Sequence, residues 1–181
     1  MASRYLGGDR LCDASSKAKM KYCNNCGSPF SVKVIENKPR EFCLDCKQIY
    51  YEQLKVGVGA LIEQDNKLLL LKRLQQPFMD MWNIPAGYVE IDENPIQAVI
   101  REVEEETRLN IEPSGIKDIY FFTDDPRGNG ILIVYQCKIR GGKLTESIEA
   151  SSPSYFRRND IPERLAGGGH NQAIKAWKEE K

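Results

Sequence analysis

Four of the six cysteines occur as two close pairs, Cys23-x2-Cys26 and Cys43-x2-Cys46, with sixteen residues between the pairs. Each pair can present two thiolates from one tight turn, and two such turns can complete a tetrahedron around Zn²⁺ with bonds of ~2.3 Å. Gly27 follows the first pair and suits the left-handed backbone that such turns need. Two redox motifs or four unrelated buried cysteines are the alternatives. The spacing favours zinc, and a structural zinc, because four thiolates leave no open coordination position.

This metal site also predicts how the chain is organised. A module of about thirty residues cannot build its own core, so we expect zinc binding to supply its folding free energy. We assign residues 20–50 to a zinc ribbon, residues 1–19 to a loosely ordered polar tail, and residues 51–181 to one larger domain. Cys12 and Cys137 lack paired neighbours, and we expect neither to bind metal.

The charge balance excludes several classes of partner. Lys and Arg number 26 and so do Asp and Glu, so no net field attracts the chain to nucleic acid or to a membrane.

The longest apolar runs, such as residues 68–71, are far too short to span a bilayer. Charged residues interrupt any secretory pattern near the N-terminus, and paired cysteines without such a signal favour a reducing, cytoplasmic compartment. In the ribbon, acidic residues offset the basic ones, which disfavours nucleic acid as its partner.

The larger domain shows alternating strand and helix patterns. Two strands joined by the turn Gln64-Asp65-Asn66 predict a β-hairpin, and two helices carry apolar residues at helical spacing. Strands and helices in this order predict a mixed sheet with helices on both sides. The predicted strands are 56–63, 67–73, 116–123, 131–139 and 154–157, and the predicted helices are about 95–109 and 170–180.

The first helix has a clear entry signal. Asn94 is the predicted N-cap, Pro95 occupies the first helical position, and Gln97 stands where a capping box requires it. An apolar stripe is predicted to face the core. Its members are Ile96, Val99, Ile100 and Val103.

The end of this helix concentrates negative charge. At 100° per residue, Glu102, Glu105 and Glu106 share one arc, whereas Glu104 points elsewhere and can pair with Arg108. A solvated surface is the plain explanation of such a run. However, like charges close together near the negative end of the helix dipole are unfavourable, so a site is a fair hypothesis. Convergent carboxylates are oxygen ligands suited to Mg²⁺ or Mn²⁺.

The glutamates are part of a longer pattern, which resembles the Nudix box, G-x5-E-x7-R-E-U-x-E-E-x-G-U, where U is a bulky apolar residue. The matching positions are Gly87, Glu93, Arg101, Glu102, Val103, Glu105, Glu106 and Leu109. The resemblance covers about residues 55–178, and the cysteine module resembles the zinc ribbon that precedes some Nudix domains. Arg108 departs from the pattern, because the family has glycine there to end the helix. We expect Asn110 to take over the cap.

The resemblance implies a fold and a set of roles. The fold is an α+β Nudix sandwich, α/β/α with a mixed sheet, preceded by the four-cysteine ribbon. Glu102, Glu105 and Glu106 would bind Mg²⁺ or Mn²⁺ together with the backbone carbonyl of Gly87. Arg101 would hold Glu105, and Glu105, Glu106 or a loop glutamate would act as the general base. Glu93 would be a supporting residue and Glu90 a further metal ligand. Glu149 could supply a late carboxylate, but a solvated loop charge is at least as good an interpretation of it.

Other candidates have plainer alternatives. Arg73, at the end of a predicted strand, could bind substrate phosphate or form a structural salt bridge. His170, the only histidine, is predicted to be a capping or structural residue at a helix start. Aromatic residues in the later strands could stack a base but are more often core. These are Tyr120, Phe121, Phe122 and Tyr135.

The resemblance implies a divalent-metal-dependent hydrolase that cleaves the diphosphate of nucleoside diphosphate-linked molecules and releases a nucleoside monophosphate such as AMP. ADP-ribose, FAD or a similar dinucleotide is the favoured substrate, ahead of nucleoside triphosphates. NADH pyrophosphatases carry an S-Q-P-W-P-F-P-x-S array that is not found after Leu109, which disfavours NADH. The alternative is a Nudix-like nucleotide sensor whose ribbon contacts a partner, but the intact carboxylates favour the enzyme. The sequence does not show the oligomeric state, but dimers are common in the family, which makes a homodimer the candidate assembly.

Overall fold

A computed structural model describes residues 21–148 and 150–180. The predictions for the tail at 1–19, for Cys12 and for Glu149 therefore lie outside the described residues. The chain forms two compact units that divide between Gln53 and Leu54. Neither helix in the described ranges has the length and apolar character needed to cross a membrane.

The first unit is a small antiparallel sheet. Its three strands pair in the order β1-β2-β3. Glu36 and Asn37, both with positive φ, form the tight turn between the first two strands. Cys23 and Cys43 are the only buried residues among those described in this unit. The strands are β1 (Ser31–Ile35), β2 (Lys38–Cys43) and β3 (Gln48–Tyr50).

The second unit contains seven strands and two α-helices in its described part. The predicted hairpin is present, and Asp65 and Asn66 at its turn both have positive φ. A 3₁₀ turn (Arg158–Asp160) follows the last strand. The elements are β4 (Lys55–Gln64), β5 (Lys67–Arg73), β6 (Trp82–Asn83), β7 (Ala86–Tyr88), α1 (Pro95–Thr107), β8 (Leu109–Phe122), β9 (Gly130–Gly142), β10 (Ala150–Arg157) and α2 (His170–Glu179).

The larger sheet is mixed and opens at one end. Its main order is β10-β5-β4-β9-β8, in which β4 and β9 are parallel and the other neighbours are antiparallel. β4 and β5 pair only next to their turn, at Glu63–Gln64 and Lys67–Leu68. Beyond that point β7 pairs with β4 and β6 pairs with β5. The separation of β4 from β5 leaves room for a cavity at this end of the sheet.

Apolar cores lie on both faces of this sheet, which confirms the predicted sandwich. One core packs α1 against alternate residues of β4, such as Val58, Ala60 and Ile62. The other packs α2, through Ala173 and Trp177, against the opposite face. Val99 and Val103 of α1, and Ala173 and Trp177 of α2, are buried, which fixes the orientation of the other residues of each helix.

Some predicted boundaries were wrong. β8 begins at Leu109 instead of residue 116, because Pro113 and Gly115 interrupt the alternation without ending the strand. The pairing of β8 with β9 shifts its register at Pro113/Gly115, among other places, and these shifts accommodate both residues within the strand.

The prediction that Ile96 belongs to the core was also wrong. Ile96 lies in the first turn of α1 and is 52% exposed, whereas Val99 and Val103 are fully buried.

Candidate active site

The four cysteines of the first unit come together. Their sulfur atoms lie within 4.8 Å of one another, with Cys23 and Cys46 at 3.9 Å and Cys26 and Cys43 at 3.5 Å. A tetrahedron of sulfurs with Zn–S bonds of ~2.3 Å has edges of roughly 3.8 Å, so the four thiolates fit a zinc ion. Gly27 has φ +75, the left-handed conformation predicted for this turn.

Nitrogen donors surround these sulfurs. The Asn25 side-chain amide donates to Cys46 Sγ (3.2 Å), and the Cys46 amide donates to Cys43 Sγ (3.3 Å). Such hydrogen bonds orient sulfur ligands. Cys137 instead lies in the core beneath α1, where burial raises the pKa of its thiol to about 12. It is therefore an inert core residue at neutral pH.

The predicted capping box fixes the start of α1. The Asn94 side-chain oxygen accepts from the amides of Ile96 (3.0 Å) and Gln97 (3.1 Å). The Gln97 side chain in turn accepts from the Asn94 amide (2.9 Å). This closed pair of contacts sets the rotation of α1, and with it the direction of every glutamate further along.

The end of α1 differs from the prediction. Arg108 itself adopts the left-handed conformation (φ 61°, ψ 19°), and its amide donates to the Glu104 carbonyl (2.9 Å). Asn110 was wrongly assigned as the cap, since it already lies in β8. The family's glycine conformation is thus kept by an arginine, at a cost of about 1 kcal/mol. Within the described residues the predicted Glu104–Arg108 ion pair does not form.

The glutamates of α1 have different environments. Glu106 is 6% exposed and its Oε2 accepts from the Ala86 amide (2.9 Å). The side chain of Glu102 is 14% exposed, that of Glu105 is 58% exposed, and Glu104 is exposed. Only the cysteines bring three or more ligand atoms to metal-binding distance in the described ranges, so the three glutamates share an arc without forming such a cluster.

Gly87 lies directly against the side chain of Glu102. A Cβ atom at residue 87 would lie 2.0 Å from the Glu102 carboxyl carbon, so any other residue there would displace the Glu102 carboxylate. β7 therefore brings its backbone directly against the acidic face of α1. Gly87, Glu102 and Glu106 all line one cavity of about 240 Å³.

Arg101 connects these acidic groups. Its guanidinium donates to Glu93 (2.5 and 3.0 Å), Glu102 (2.8 Å) and Glu105 (3.1 Å). It also donates to the Tyr88 carbonyl (3.1 Å). The Glu93 hydrogen bond is the main reason why the pKa of Arg101 is raised, and Arg101 in turn lowers the pKa of Glu93. The predicted contact between Arg101 and Glu105 is present, and Glu93 supports Arg101 from the other side.

Arg73 and Glu90 also line the cavity. Arg73, at the end of β5, donates from Nε to the Pro77 carbonyl (3.1 Å) and lines the cavity. Burial lowers the pKa of Arg73 while the nearby Glu106 opposes that shift. Glu90 also lines the cavity, from the loop after β7.

His170 is buried in the cavity wall at the first position of α2. Burial, reinforced by Arg73 and Arg127, lowers its pKa to about 3, so the imidazole is neutral at physiological pH. Its Nδ1 atom is buried and has no hydrogen-bond partner in the described part of the chain.

Among the aromatic candidates, Phe122 is buried and lines the cavity, whereas Tyr135 belongs to the core under α1. Tyr120 packs against the core under α2, and Phe121 is 53% exposed.

Sequence reasoning missed three of the ionisable residues that line the cavity. Asp125 and Arg127 lie in the loop between β8 and β9, and Tyr88 follows Gly87 in β7. The stretch from Asp124 to Gly130 lies between the predicted strands 116–123 and 131–139, and the sequence predicts no site residue in it. The one available signal was an acidic and a basic residue two positions apart in a tight loop, which permits a local ion pair.

The Nudix domain family matches residues 53–176, and a Nudix zinc-ribbon family described as Nudix N-terminal matches residues 21–52. An ADP-ribose pyrophosphatase of Methanocaldococcus jannaschii is 35% identical over 152 residues, covering 83% of this chain and 86% of that protein. The NAD-capped RNA hydrolase NudC of Vibrio atlanticus is 25% identical over 147 residues, covering 80% of this chain but only 52% of that protein.

Among solved structures, a Nudix hydrolase from Nitrosomonas europaea matches with a TM-score of 0.74 and 30% identity, covering 90% of this chain and 92% of that one. The domain match, the relative that spans most of the chain and the four-cysteine cluster agree with one another. The chain therefore belongs to the Nudix hydrolase family and carries that family's N-terminal zinc-ribbon module.

Proposed function

We propose that this Nudix pyrophosphohydrolase uses Mg²⁺ or Mn²⁺ to hydrolyse the diphosphate of a nucleoside diphosphate-linked substrate, with ADP-ribose as the first candidate. The observation that carries the proposal is the cavity itself. Glu102, Glu106, Gly87 and Arg73 all line it. Carboxylates for a divalent ion and a guanidinium for phosphate thus share a single space.

The donor set fits a hard divalent cation. Carboxylate and carbonyl oxygens are the ligands that Mg²⁺ and Mn²⁺ prefer, and three of the proposed ligands come from α1: Glu102, Glu105 and Glu106. Gly87 would add its carbonyl oxygen, since no side chain separates its backbone from Glu102. When bound, such an ion neutralises phosphate charge and makes a water molecule more acidic.

The chain's own residues position the reacting groups. The Ala86 amide fixes Glu106, and Arg101 fixes Glu102 and Glu105. Arg73 would bind a phosphate oxygen, and Glu105 or Glu106 would accept the proton of the attacking water. Hydrolysis of ADP-ribose would then give AMP and ribose 5-phosphate.

The relative named ADP-ribose pyrophosphatase supports this substrate, because it matches over most of both chains. FAD and other dinucleotides contain the same diphosphate group and are the next candidate substrates after ADP-ribose. We assign zinc to the four cysteines as a structural ion, because the four sulfurs leave no open position. A cytoplasmic location and a homodimer stay predictions.

The test is a substrate panel with purified protein. ADP-ribose, FAD, NADH, NAD-capped RNA and a nucleoside triphosphate are each incubated with Mg²⁺, with Mn²⁺ or in buffer freed of divalent ions by ion exchange. A chelator is avoided because it would also attack the ribbon. We expect AMP from ADP-ribose, and only when a divalent ion is present.

Undiminished turnover in the metal-free buffer would contradict the metal dependence. Faster release from NAD-capped RNA or from a triphosphate than from ADP-ribose would overturn the substrate. Nucleotide binding without turnover on any substrate would favour a sensor instead.

A further inference from the structure

The cavity has a wall that belongs neither to α1 nor to β5. Asp125 and Arg127 form an ion pair there, in which Asp125 Oδ1 accepts from the amide (2.8 Å) and Nε (3.0 Å) of Arg127, and Oδ2 accepts from Nη2 (2.7 Å). The side chain of Asp125 is only 2% exposed, whereas that of Arg127 is 42% exposed. Asp125 is therefore fixed in the protein, whereas Arg127 is partly exposed and lines the cavity.

The plain explanation for this ion pair is that it stabilises the loop between β8 and β9. However, another contact already holds that loop in place. Asp124 accepts a hydrogen bond from the Gly168 amide (2.9 Å), which ties the same loop to the segment before α2. In addition, Nη1 of Arg127 donates no hydrogen bond within the described residues, although the side chain lines the cavity. A buried carboxylate that holds one edge of a guanidinium leaves the other edge oriented for a ligand.

Tyr88 links this pair to the acidic wall. Its hydroxyl donates to Asp125 Oδ2 (3.3 Å), and its ring lies 5.1 Å from the Arg127 guanidinium carbon. Its carbonyl accepts from Arg101, which also holds Glu102. One residue next to Gly87 thus sets the position of Arg127 relative to the proposed metal ligands.

The charge of the cavity indicates what Arg127 binds. Glu90, Glu102 and Glu106 line the cavity and would repel an anionic substrate, so cationic groups are needed on the other walls. Arg73 is one such group and Arg127 is the second. A guanidinium held at one edge presents a rigid N–H pair that matches the geometry of a phosphate group.

We propose that Arg127 binds a phosphate of the nucleotide substrate through its free edge, with Asp125 and Tyr88 as positioning residues. The inference rests on the proposed function, and it adds a substrate-binding residue that motif reasoning does not supply. The contact exists before the reaction, so it acts on substrate binding more than on the chemical step.

The first measurement is steady-state kinetics with ADP-ribose and Mg²⁺. For Arg127→Ala we expect KM to rise roughly 10- to 100-fold while kcat changes less than about threefold. Arg127→Lys should not restore KM, because an ammonium cannot replace the forked contacts. Arg140→Ala is the matched control, since Arg140 pairs with Glu112 between β8 and β9 and does not line the cavity.

A second variant protects the test against misfolding. Removing Arg127 alone leaves Asp125 buried and unpaired, whereas the double variant Asp125→Asn/Arg127→Met removes both charges together and should keep the fold. It should show the same rise in KM as Arg127→Ala. Asp125→Asn alone should raise KM by a smaller factor, since Arg127 remains but loses its orientation.

AMP binding in divalent-free buffer, measured by calorimetry, separates this inference from the proposed function. The wild type should bind AMP roughly tenfold more tightly than the double variant, whether or not ADP-ribose is turned over. Wild-type KM and AMP affinity in both Arg127 variants would overturn the inference and leave the hydrolase assignment intact. Weaker AMP binding in the double variant of a protein that hydrolyses nothing would uphold the contact and overturn the hydrolase assignment. Absence of both AMP binding and hydrolysis in the wild type would overturn both.

Discussion

The zinc ribbon and helix α1 both collect metal-ligand residues, but they arrange them in opposite ways. In the ribbon, four sulfurs lie within 4.8 Å of one another, and two of these cysteines are the only buried residues described in that unit. In α1, Glu102 and Glu106 line an open cavity, and Arg101 donates to Glu102 and Glu105. One ligand set is closed on itself and the other faces a space that a substrate can enter.

This difference shows which unit depends on its metal. The ribbon has no apolar core in its described part, so its ligands must hold the backbone together. The second unit has two cores, one on each face of its sheet, and these can stabilise a helix whose carboxylates repel one another. Stability that comes from elsewhere is what allows a reactive, unfavourable arrangement to persist.

The largest expected effect is loss of the ribbon when its zinc site is broken. Cys43→Ser should abolish zinc binding and unfold residues 21–52, because zinc contributes on the order of 10 kcal/mol in comparable modules. The measurements are zinc content and amide hydrogen exchange, which should increase in the ribbon but not in the cores of the second unit. Cys137→Ala is the reverse control, as it should destabilise the second unit and leave zinc content unchanged.

Retained exchange protection in a zinc-free ribbon would show that the unit folds without its metal, and would remove the contrast with α1.

A substitution of Arg101 tests how the carboxylate ligands of α1 are positioned. Arg101→Met should weaken Mn²⁺ binding roughly 10- to 100-fold, since the carboxylates of Glu102 and Glu105 would lose the group that orients them. The measurement is the Mn²⁺ concentration dependence of ADP-ribose turnover. Arg157→Met is the control, because Arg157 is exposed at the end of β10. Equal Mn²⁺ dependence in both variants would mean that Arg101 does not position the ligands.

The lowered pKa of His170 predicts that the stability of the second unit depends on pH. The folded pKa of His170, about 3, lies below the ordinary value of 6.5, so the unfolded chain binds the proton more readily. Its contribution is therefore present above pH 6.5 and is lost as the pH falls, by about 2 kcal/mol at pH 5. Both tryptophans, Trp82 and Trp177, lie in this unit, so tryptophan fluorescence reports its unfolding.

The wild type should lose stability relative to His170→Asn as the pH falls. The difference between their free energies of unfolding should narrow by about 2 kcal/mol between pH 7 and pH 5. Because His170 is the only histidine, its NMR signal can be followed without assignment. Titration of that signal near pH 6.5 in the folded protein would contradict the prediction.

The smallest effect concerns the end of α1. Arg108→Gly should stabilise the second unit by about 1 kcal/mol, because glycine adopts the left-handed conformation without strain. Urea unfolding followed by tryptophan fluorescence measures it. Glu104→Gly, inside the helix, should have the opposite sign and a similar size. A destabilised Arg108→Gly variant would show that the Arg108 side chain contributes more than its backbone costs.

Local signals explain how much of this structure the sequence predicted. The cysteine turns and the Asn94 capping box depend on residues only a few positions apart, so they could be predicted without knowledge of the fold. Ile96 followed the helical period but lies in the first turn, where no neighbouring element covers it. The end of α1 at Arg108 was not predicted, because arginine rarely adopts the left-handed backbone conformation that it has there. The surrounding structure overrides this preference.

The second wall of the cavity could not be predicted in this way. Asp125 and Arg127 become part of the site only because β4 and β5 separate and place Tyr88 beside the loop after β8. Likewise, the close contact at Gly87 depends on Glu102, which approaches from a different element. Such contacts depend on the packed fold, and periodicity carries no information about them.

Turnover by Glu106→Gln, compared with Glu104→Gln, tests whether the open ligand set performs the chemistry. Glutamine keeps the size of Glu106 and can still accept from the Ala86 amide, so the fold should be retained. With ADP-ribose and Mg²⁺, we expect kcat of Glu106→Gln to fall on the order of 10³-fold or more, because the metal loses a charged ligand worth several kcal/mol. Glu104→Gln should match the wild type, as Glu104 is exposed and outside the cavity lining. Wild-type turnover by a folded Glu106→Gln protein would contradict the assignment of α1 as the metal-binding wall of the active site.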